Sequence, residues 1–519
     1  MKAPQGEEVV RINSSRYRIA LGLVVAVLVM AAGSVRAEDS GSTVVAKRMR
    51  RRHHRVTTTT TTVTEPAPVG RSIDDLSGEV TNLRQESVQT ATEVKQIQQA
   101  IVVAPPATAG AAPKTIGEHV GVLEQQVGDV RKTLSDSLGV HIHGLVDGTY
   151  DYNINEPNTT PILSSSGRVN QLREFDVDAN SFNFQQFNLH IDRTADGGVG
   201  FVTDLNFGKT AEVLWASTHY SNSTIPSQAS TQEFDPTQAY LTYTIPLGKG
   251  INMQVGKFVT LLGAEVIPVY NNLNFNESRG FLFTWGEPLT HTGVRANYAF
   301  NDKIALTMGV NNGWDDPSDS NDGKTVEGEL SITPTANLSI LINGTYGPEQ
   351  ANHGNSKRGA IDPVVTWHTP LKGLQLIGEY LYATESAPIA VSAFPTSQGN
   401  MLTGVSEFNR GTDWQGFAGY AVYDFNDNVE FASRFEWFRD SEGTRTGLRQ
   451  TLFEFTETLN YKVPLVTGLL ARLEYRHDAS TANPFYSNDP LIPQATGGFL
   501  PSHTYSGQDT LLAAAVYSF

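Results

Sequence analysis

From His141 to the C-terminus, apolar and polar side chains alternate. Leu469, Ala471, Leu473 and Tyr475 fall on one face and Arg472, Glu474 and Arg476 on the other; Val429, Phe431, Phe435 and Trp437 alternate in the same way with Glu430, Arg434 and Glu436. A period of 2 is that of an extended strand, whose successive side chains point to opposite faces. The pattern predicts strands over 142–153, 182–194, 198–208, 237–245, 251–258, 290–300, 303–313, 325–333, 338–347, 359–368, 374–385, 413–425, 428–440, 447–463, 469–478 and 509–519. Most are near the roughly 9–11 residues that a tilted strand needs to cross a bilayer.

The connections sort by parity. Short turns are predicted at Asp196-Gly197, Pro246 to Gly248, Asn301-Asp302, Pro334 to Asn337, Pro370 to Gly373, Asn426-Asp427 and Pro464 to Gly468. Long loops fall between them at 156–181, 209–236, 259–289, 386–412 and 479–508, with 441–446 short for its class. A soluble sandwich has no reason to sort its loops this way, whereas an outer-membrane barrel has short periplasmic turns and long external loops. The fold class expected is therefore all-β, an antiparallel transmembrane barrel of about sixteen strands over 141–519. An even count returns the C-terminus to the side where the first strand begins. There Phe519, Tyr517, Ala515, Ala513 and Leu511 share an apolar face. This face resembles the signal read by the outer-membrane assembly machinery, so Phe519 and Tyr517 are its candidate residues and that machinery a partner. Glu457 shares a face with Phe455 and Leu459, which predicts a bulge or a different register there.

Ahead of the strands the period changes. Ile73, Leu76, Val80, Leu83, Ser87, Thr90, Val94, Ile97 and Ile101 recur at spacings of 3 and 4, as do Ile116, Val120, Leu123, Val127, Val130 and Leu134. This is a coiled-coil seam over 71–138, interrupted around Pro105, Pro106 and Pro113. One narrow stripe cannot be buried alone, so the segment is expected to oligomerise, with a homotrimer as the natural state, to fold back on the barrel mouth or to lie on another envelope component. Residues 38–70 form a basic and Thr-rich linker expected to be disordered. Arg11, Arg16 and Arg18 precede an apolar run from Ile19 to Ala32, and Val35-Arg36-Ala37 follows, the pattern of a signal peptide over 1–37. Retention of that run as an uncleaved anchor is the other reading. No later segment approaches 18 apolar residues, so a membrane-embedded body has to cross as a closed barrel.

Charge narrows the partners. The chain has 38 Lys and Arg against 54 Asp and Glu, a net of −16, and by count 21 and 40 of these lie from residue 141 onward, so the body holds about −19. An acidic body argues against nucleic acid. The absence of cysteine excludes disulfides and thiol nucleophiles. No Ser, His and carboxylate pattern marks an acyl-transfer site, and no enzyme activity, cofactor or metal is expected. His141 and His143 share a face and read as rim residues before metal ligands; the pair His53 and His54 lacks co-ligands. Tyr150, Tyr152, Trp285, Trp314, Trp367, Trp414 and Trp437, near strand ends, are expected in the aromatic girdles at the membrane interfaces.

Certain stretches resemble a known family. These are His143-Gly144-Leu145-Val146-Asp147-Gly148-Thr149-Tyr150-Asp151-Tyr152-Asn153, Phe187-Asn188-Leu189, Gly200-Phe201, Leu205-Asn206-Phe207-Gly208, Gly256-Lys257-Phe258 with Gly263-Ala264-Glu265, and Thr290-His291-Thr292-Gly293-Val294-Arg295. They are similar to the OmpL-like β-barrel porins, firmly to about Gly347 and less so beyond. The resemblance implies a pore-forming barrel in outer-membrane lipid that passes small hydrophilic solutes, and it leaves the solute open. In general diffusion porins the loop after the fifth strand folds inward. Here that loop, 259–289, carries Glu265, Glu277, Arg279 and Glu287, and inward positions elsewhere offer Arg295, Arg434, Arg472 and Arg476. Acids facing arginines would set a transverse field on a passing solute; the plainer reading is that they salt-bridge the loop to the wall. The expectation is a weakly selective, cation-preferring channel. A second class of function is an envelope tether, in which the basic tail and coiled coil contact the cell wall and the barrel is the anchor.

Overall fold

The computed structural model describes residues 139–157, 168–193, 198–220, 232–386, 411–489, 491–493 and 499–519, with residues 128, 129, 132 and 135. The chain separates into Met1–Val88 and Gln89–Phe519. The signal segment, the basic linker, the heptad segment save those four residues, and the turn at Asp196-Gly197 lie outside the described residues.

Sixteen strands make the body: β1 (Val140–Asn153), β2 (Ser181–Arg193), β3 (Val199–Phe207), β4 (Phe234–Ile245), β5 (Ile251–Val259), β6 (Thr290–Asn301), β7 (Ile304–Asn311), β8 (Thr325–Thr335), β9 (Leu338–Pro348), β10 (Lys357–His368), β11 (Leu374–Glu385), β12 (Thr412–Asn426), β13 (Val429–Asp440), β14 (Gln450–Lys462), β15 (Leu469–Ser480) and β16 (Gly507–Ser518). Each pairs with its neighbours in sequence, and β16 pairs antiparallel with β1, which closes the barrel. Closure leaves no strand edge unpaired, the condition for a sheet in lipid. Connections after even-numbered strands are short, from 302–303 to 463–468; those after odd-numbered strands are longer, from 349–356 to 260–289.

The faces are the inverse of a soluble protein's. On β14, Phe453, Phe455, Leu459 and Tyr461 are 40–44% exposed, while Glu454, Thr456, Thr458 and Asn460 are at most 2% exposed. Leaving one large apolar side chain in water forgoes about 1.5–3 kcal/mol. A whole belt of them is tolerable only against lipid, where the apolar band of a transmembrane barrel lies.

Two sequence expectations need correction. The register of β14 runs unbroken through Glu457 on both sides. No bulge turns it inward: it stays on the outer face, where the Ser433 hydroxyl donates to it at 3.0 Å. The girdle assignment fails for Trp285, Trp314 and Trp414, which are 8%, 4% and 0% exposed inside the barrel. Their indole N–H groups donate to Leu172 O, Thr345 Oγ1 and Gly286 O. Trp285 and Trp314 lie in loops that fold inward and Trp414 on the lumen side of β12, and together they form an apolar core there. Elements absent from the periodicity also form: helix α1 (Lys209–Tyr220), a π-helical turn at Leu282–Gly286, and small hairpins pairing Arg168–Val169 with Asp178–Ala179 and Leu491–Pro493 with Phe499–Pro501.

Candidate functional site

The loop between β5 and β6 enters the barrel and reaches the wall half-way around it. Its stem touches β10 and β11, where Gly263 N donates to Asp362 at 2.5 Å and Ala264 N to Glu379 at 3.0 Å. Its returning arm lies on β13 to β15. Glu277 N and Ser278 N donate to Glu474 at 2.6 and 3.0 Å, Asn276 to Thr458 at 2.7 Å, and Asn460 to Phe275 O at 2.8 Å. The two arms are tied by Val266 N to Asn274 Oδ1 and Gly280 N to Glu265. At the tip, Tyr270 stacks on His143 of β1, 3.9 Å between centroids and 9° from parallel. His141 sits 3.3 Å from Asp192.

Apolar burial fixes the hairpin to the wall. Leu262, Phe281, Leu282 and Trp285 pack in one cluster with Trp314, Leu381, Trp414, Phe438 and Leu452, joined by Leu172 and Phe485 from other loops. A second cluster joins Ile267, Phe283 and Leu289 to Phe175 and to Leu214 of α1. Phe281 is fully buried, and truncating such a Phe to Ala costs roughly 3–5 kcal/mol.

Each sequence-predicted charge has a definite place. Arg434 pairs with Glu265 of the loop and, at 2.7 Å, with Glu454; it also donates to Ser278 O at 2.8 Å. Arg472 meets Glu277 at 2.8 Å and Asn460 at 2.7 Å. Although burial opposes it, the Arg472 guanidinium holds the Glu277 carboxyl below its usual range. Arg476 lies 2.8 Å from Asp478 and 3.2 Å from Glu454, and donates to Arg279 O. Arg279 turns back to Glu277 O at 2.7 Å. Arg295 stands at the root of the loop, not across from it. It holds Glu327 through two bonds of 2.9 and 3.0 Å and covers the Phe258 ring at 4.0 Å. Glu287 has neither a cation nor a hydrogen-bond donor; burial, then the neighbouring acids Glu379, Asp362, Glu265 and Glu436, push its carboxyl well up. The ion pairs are thus loop-to-wall and wall-to-wall bonds. Glu436 and Glu474 were read as inward positions but not as site residues, and Glu327, Asp362, Glu379, Glu454 and Asp478 were missed, although each is an inward-parity acid that alternation alone could have marked.

The opposite wall stays wetter. Gln238, Tyr240, Thr242, Gln254, Asn297 and Glu329, on β4, β5, β6 and β8, are half-buried and polar. A polar lining on one side and a charged hairpin on the other describe a narrowed aqueous passage.

Residues 139–519 match the model of the family described as "Putative beta-barrel porin-2, OmpL-like". The chain belongs to these OmpL-like β-barrel porins. No curated protein matches this porin. Solved structures similar to it include OmpT of Vibrio cholerae, at 10% identity and TM-score 0.44 over 73% of this chain and 97% of that one. The outer membrane channel DcaP of Acinetobacter baumannii is similar at 11% identity and TM-score 0.44, over 73% and 97%. An anion-selective porin from Comamonas acidovorans is similar at 9% identity and TM-score 0.42, over 73% and 99%.

In this porin the short-turn end is periplasmic and the long-loop end external. A buried acid of the external loops gives them a pH dependence. Glu349 accepts from Trp314 N at 2.6 Å and Thr325 Oγ1 at 2.5 Å, and burial pushes its carboxyl up to about 7 against the pull of Arg358. A raised folded-state value means that the fold favours the protonated acid. The hold is complete below the ordinary glutamate range and is lost as pH rises through about 7. Hydrogen exchange in residues 312–324, corrected for its intrinsic pH dependence, is expected to be faster at pH 8 than at pH 5, and Glu349→Gln is expected to flatten the difference.

Proposed function

We propose that the barrel is a passive channel for small hydrophilic solutes with a modest preference for cations. The inward hairpin carries this reading. It narrows a barrel whose strand number otherwise leaves an aqueous lumen, since about eight strands close with a filled interior and 16–18 do not. The sign follows from the charge balance. The four wall arginines are each engaged by carboxylates, and the body from residue 141 onward holds 40 Asp and Glu against 21 Lys and Arg. The excess of acids biases the field toward cations. Screening limits the effect, because the Debye length is roughly 8 Å at physiological salt. The reversal potential of the purified protein in planar bilayers across a KCl gradient is expected to show cation preference, reduced when Glu265, Glu277 and Glu287 are changed together to Gln. Anion preference in the parent refutes the sign. Preference unmoved by the triple change takes the role of filter away from the hairpin. The homotrimer and the periplasmic place of the N-terminal segment belong to the same proposal, and the envelope tether is the alternative to it. They rest on the heptads and the basic tail, and deleting residues 40–137 separates loss of wall attachment from loss of flux.

A further inference from the structure

Glu287 at the end of the hairpin, Asp362 on β10 and Glu379 on β11 each bring a carboxylate oxygen within 4.8 Å of the others'. They are 3%, 0% and 2% exposed. Asp362 and Glu379 each receive one backbone N–H from the hairpin, on Oδ2 and Oε2. Their other oxygens, and both oxygens of Glu287, have no hydrogen-bond donor. Arg434, whose guanidinium is on the same wall, is engaged by Glu265 and Glu454. Three further observations single out this spot. Asn343, directly across the ladder from Asp362, is buried with its amide beside that carboxylate. The buried hydroxyl of Tyr420, within electrostatic reach of Glu379 and Glu265, has no partner. The Glu287 carboxylate rests over the α-carbon of Gly263, where a Cβ would stand 2.3 and 2.5 Å from its two oxygens, and Gly263 has φ +92°. The backbone is bent and bared so that the acid can sit there.

Three buried acids without a counter-charge are unfavourable when ionised, because unpaired buried charge is costly. Either a cation joins them or protons do. We propose that Glu287, Asp362 and Glu379 form a Ca²⁺ site that fastens the hairpin to β10 and β11. An all-oxygen donor set selects a hard cation over zinc or copper. Calcium takes 6–8 oxygens at 2.3–2.6 Å, so its ligands lie up to about 4.8 Å apart, and the three carboxylate oxygens fall within that distance of one another. The two free oxygens of Glu287 suit bidentate binding, the Asn343 amide oxygen adds a neutral donor, and water completes the shell. Magnesium, smaller and reluctant to dehydrate, fits a wide anionic pocket less well. One dication leaves the trio with a single negative charge and ties a loop residue to two strands.

The test is calcium binding by the full-length protein in detergent, stripped with a chelator and titrated with CaCl₂ alone at pH 7.5. Heat-dependent mobility on a gel establishes that each sample is a folded barrel. The expected result is one saturable site per chain, weakened at least tenfold by Glu287→Gln and by Gly263→Ala, which fills the seat of the Glu287 carboxylate. Glu349→Gln, remote from the trio, is expected to bind as the parent does. Single-channel noise is expected to rise when chelator is added to the parent and not to change in Glu287→Gln. A folded parent that binds no calcium at millimolar concentration overturns the proposal and leaves shared protons as the neutralising device. Equal binding by parent, Glu287→Gln and Gly263→Ala overturns it as well, by placing the ion elsewhere. Binding is read without current, so the metal site and the channel reading can fail separately.

Discussion

Replacing Arg434 by Met is expected to release the hairpin and to raise and destabilise single-channel conductance. Arg434 is fully buried and joins two acids, Glu265 of the loop and Glu454 of the wall, to the Ser278 carbonyl. Methionine fills most of the volume and removes the charge. Glu265 is then a buried acid without a cation, and Glu454 is left with Arg476 alone, at 3.2 Å. Breaking a buried pair by removing one partner costs roughly 3–5 kcal/mol. At about 1.4 kcal/mol per tenfold, the ratio of docked to undocked hairpin falls by a hundredfold or more. The barrel should survive, because its strands are joined by backbone ladders that do not depend on the Arg434 side chain. Protease sensitivity within 260–289 should therefore rise while heat-dependent gel mobility is retained. Arg434→Lys keeps the charge but not the fork of donors and is expected to be intermediate. An Arg434→Met channel with parental conductance and an uncut loop would show that the apolar cluster around Phe281 holds the hairpin by itself.

Removing Phe519 is expected to cut the yield of membrane-inserted protein to a small fraction of the parent's. The last residue closes the seam. Phe519 N donates to Gly144 O and Gly144 N to Phe519 O, both at 2.9 Å. Its ring stacks on Tyr517 at 6.0 Å and lies over Gly144, whose missing side chain makes the room: a Cβ there would stand 2.2 Å from the ring. Deletion takes away the two closing hydrogen bonds and the terminal aromatic together. Phe519→Ala retains the bonds and isolates the ring. Deletion of His353, at an exposed loop tip, is the comparison and is expected to insert normally. Equal yields for the deletions of Phe519 and His353 would remove the C-terminus as an assembly determinant.

The strands were legible because their cause is local. Alternation along β13 or β15 needs only neighbours two residues apart, and the reversal of faces follows from lipid outside and water inside. Sorted loop lengths added the barrel, since parity along the chain is also parity of the two membrane sides. The eight candidate charges were legible as residues, because an inward parity or an acidic loop marks them, but not as pairs. Glu265 meets Arg434 across 169 positions and Glu277 meets Arg472 across 195, and no local period encodes which acid stands opposite which guanidinium. Only closure of β1 onto β16 sets the register that brings β10, β11, β13 and β15 to one hairpin. Alternation also could not place Trp285 and Trp314, which lie in loops, or tell lipid from lumen for Trp414, because the infolded loops supply the apolar surface that buries all three. The sequence by itself determined a sixteen-strand barrel with a charged interior. Which charges are neutralised, and which, like Glu287, are left in want of a cation, was decided by the tertiary structure, because burial and distance exist only once the chain has closed.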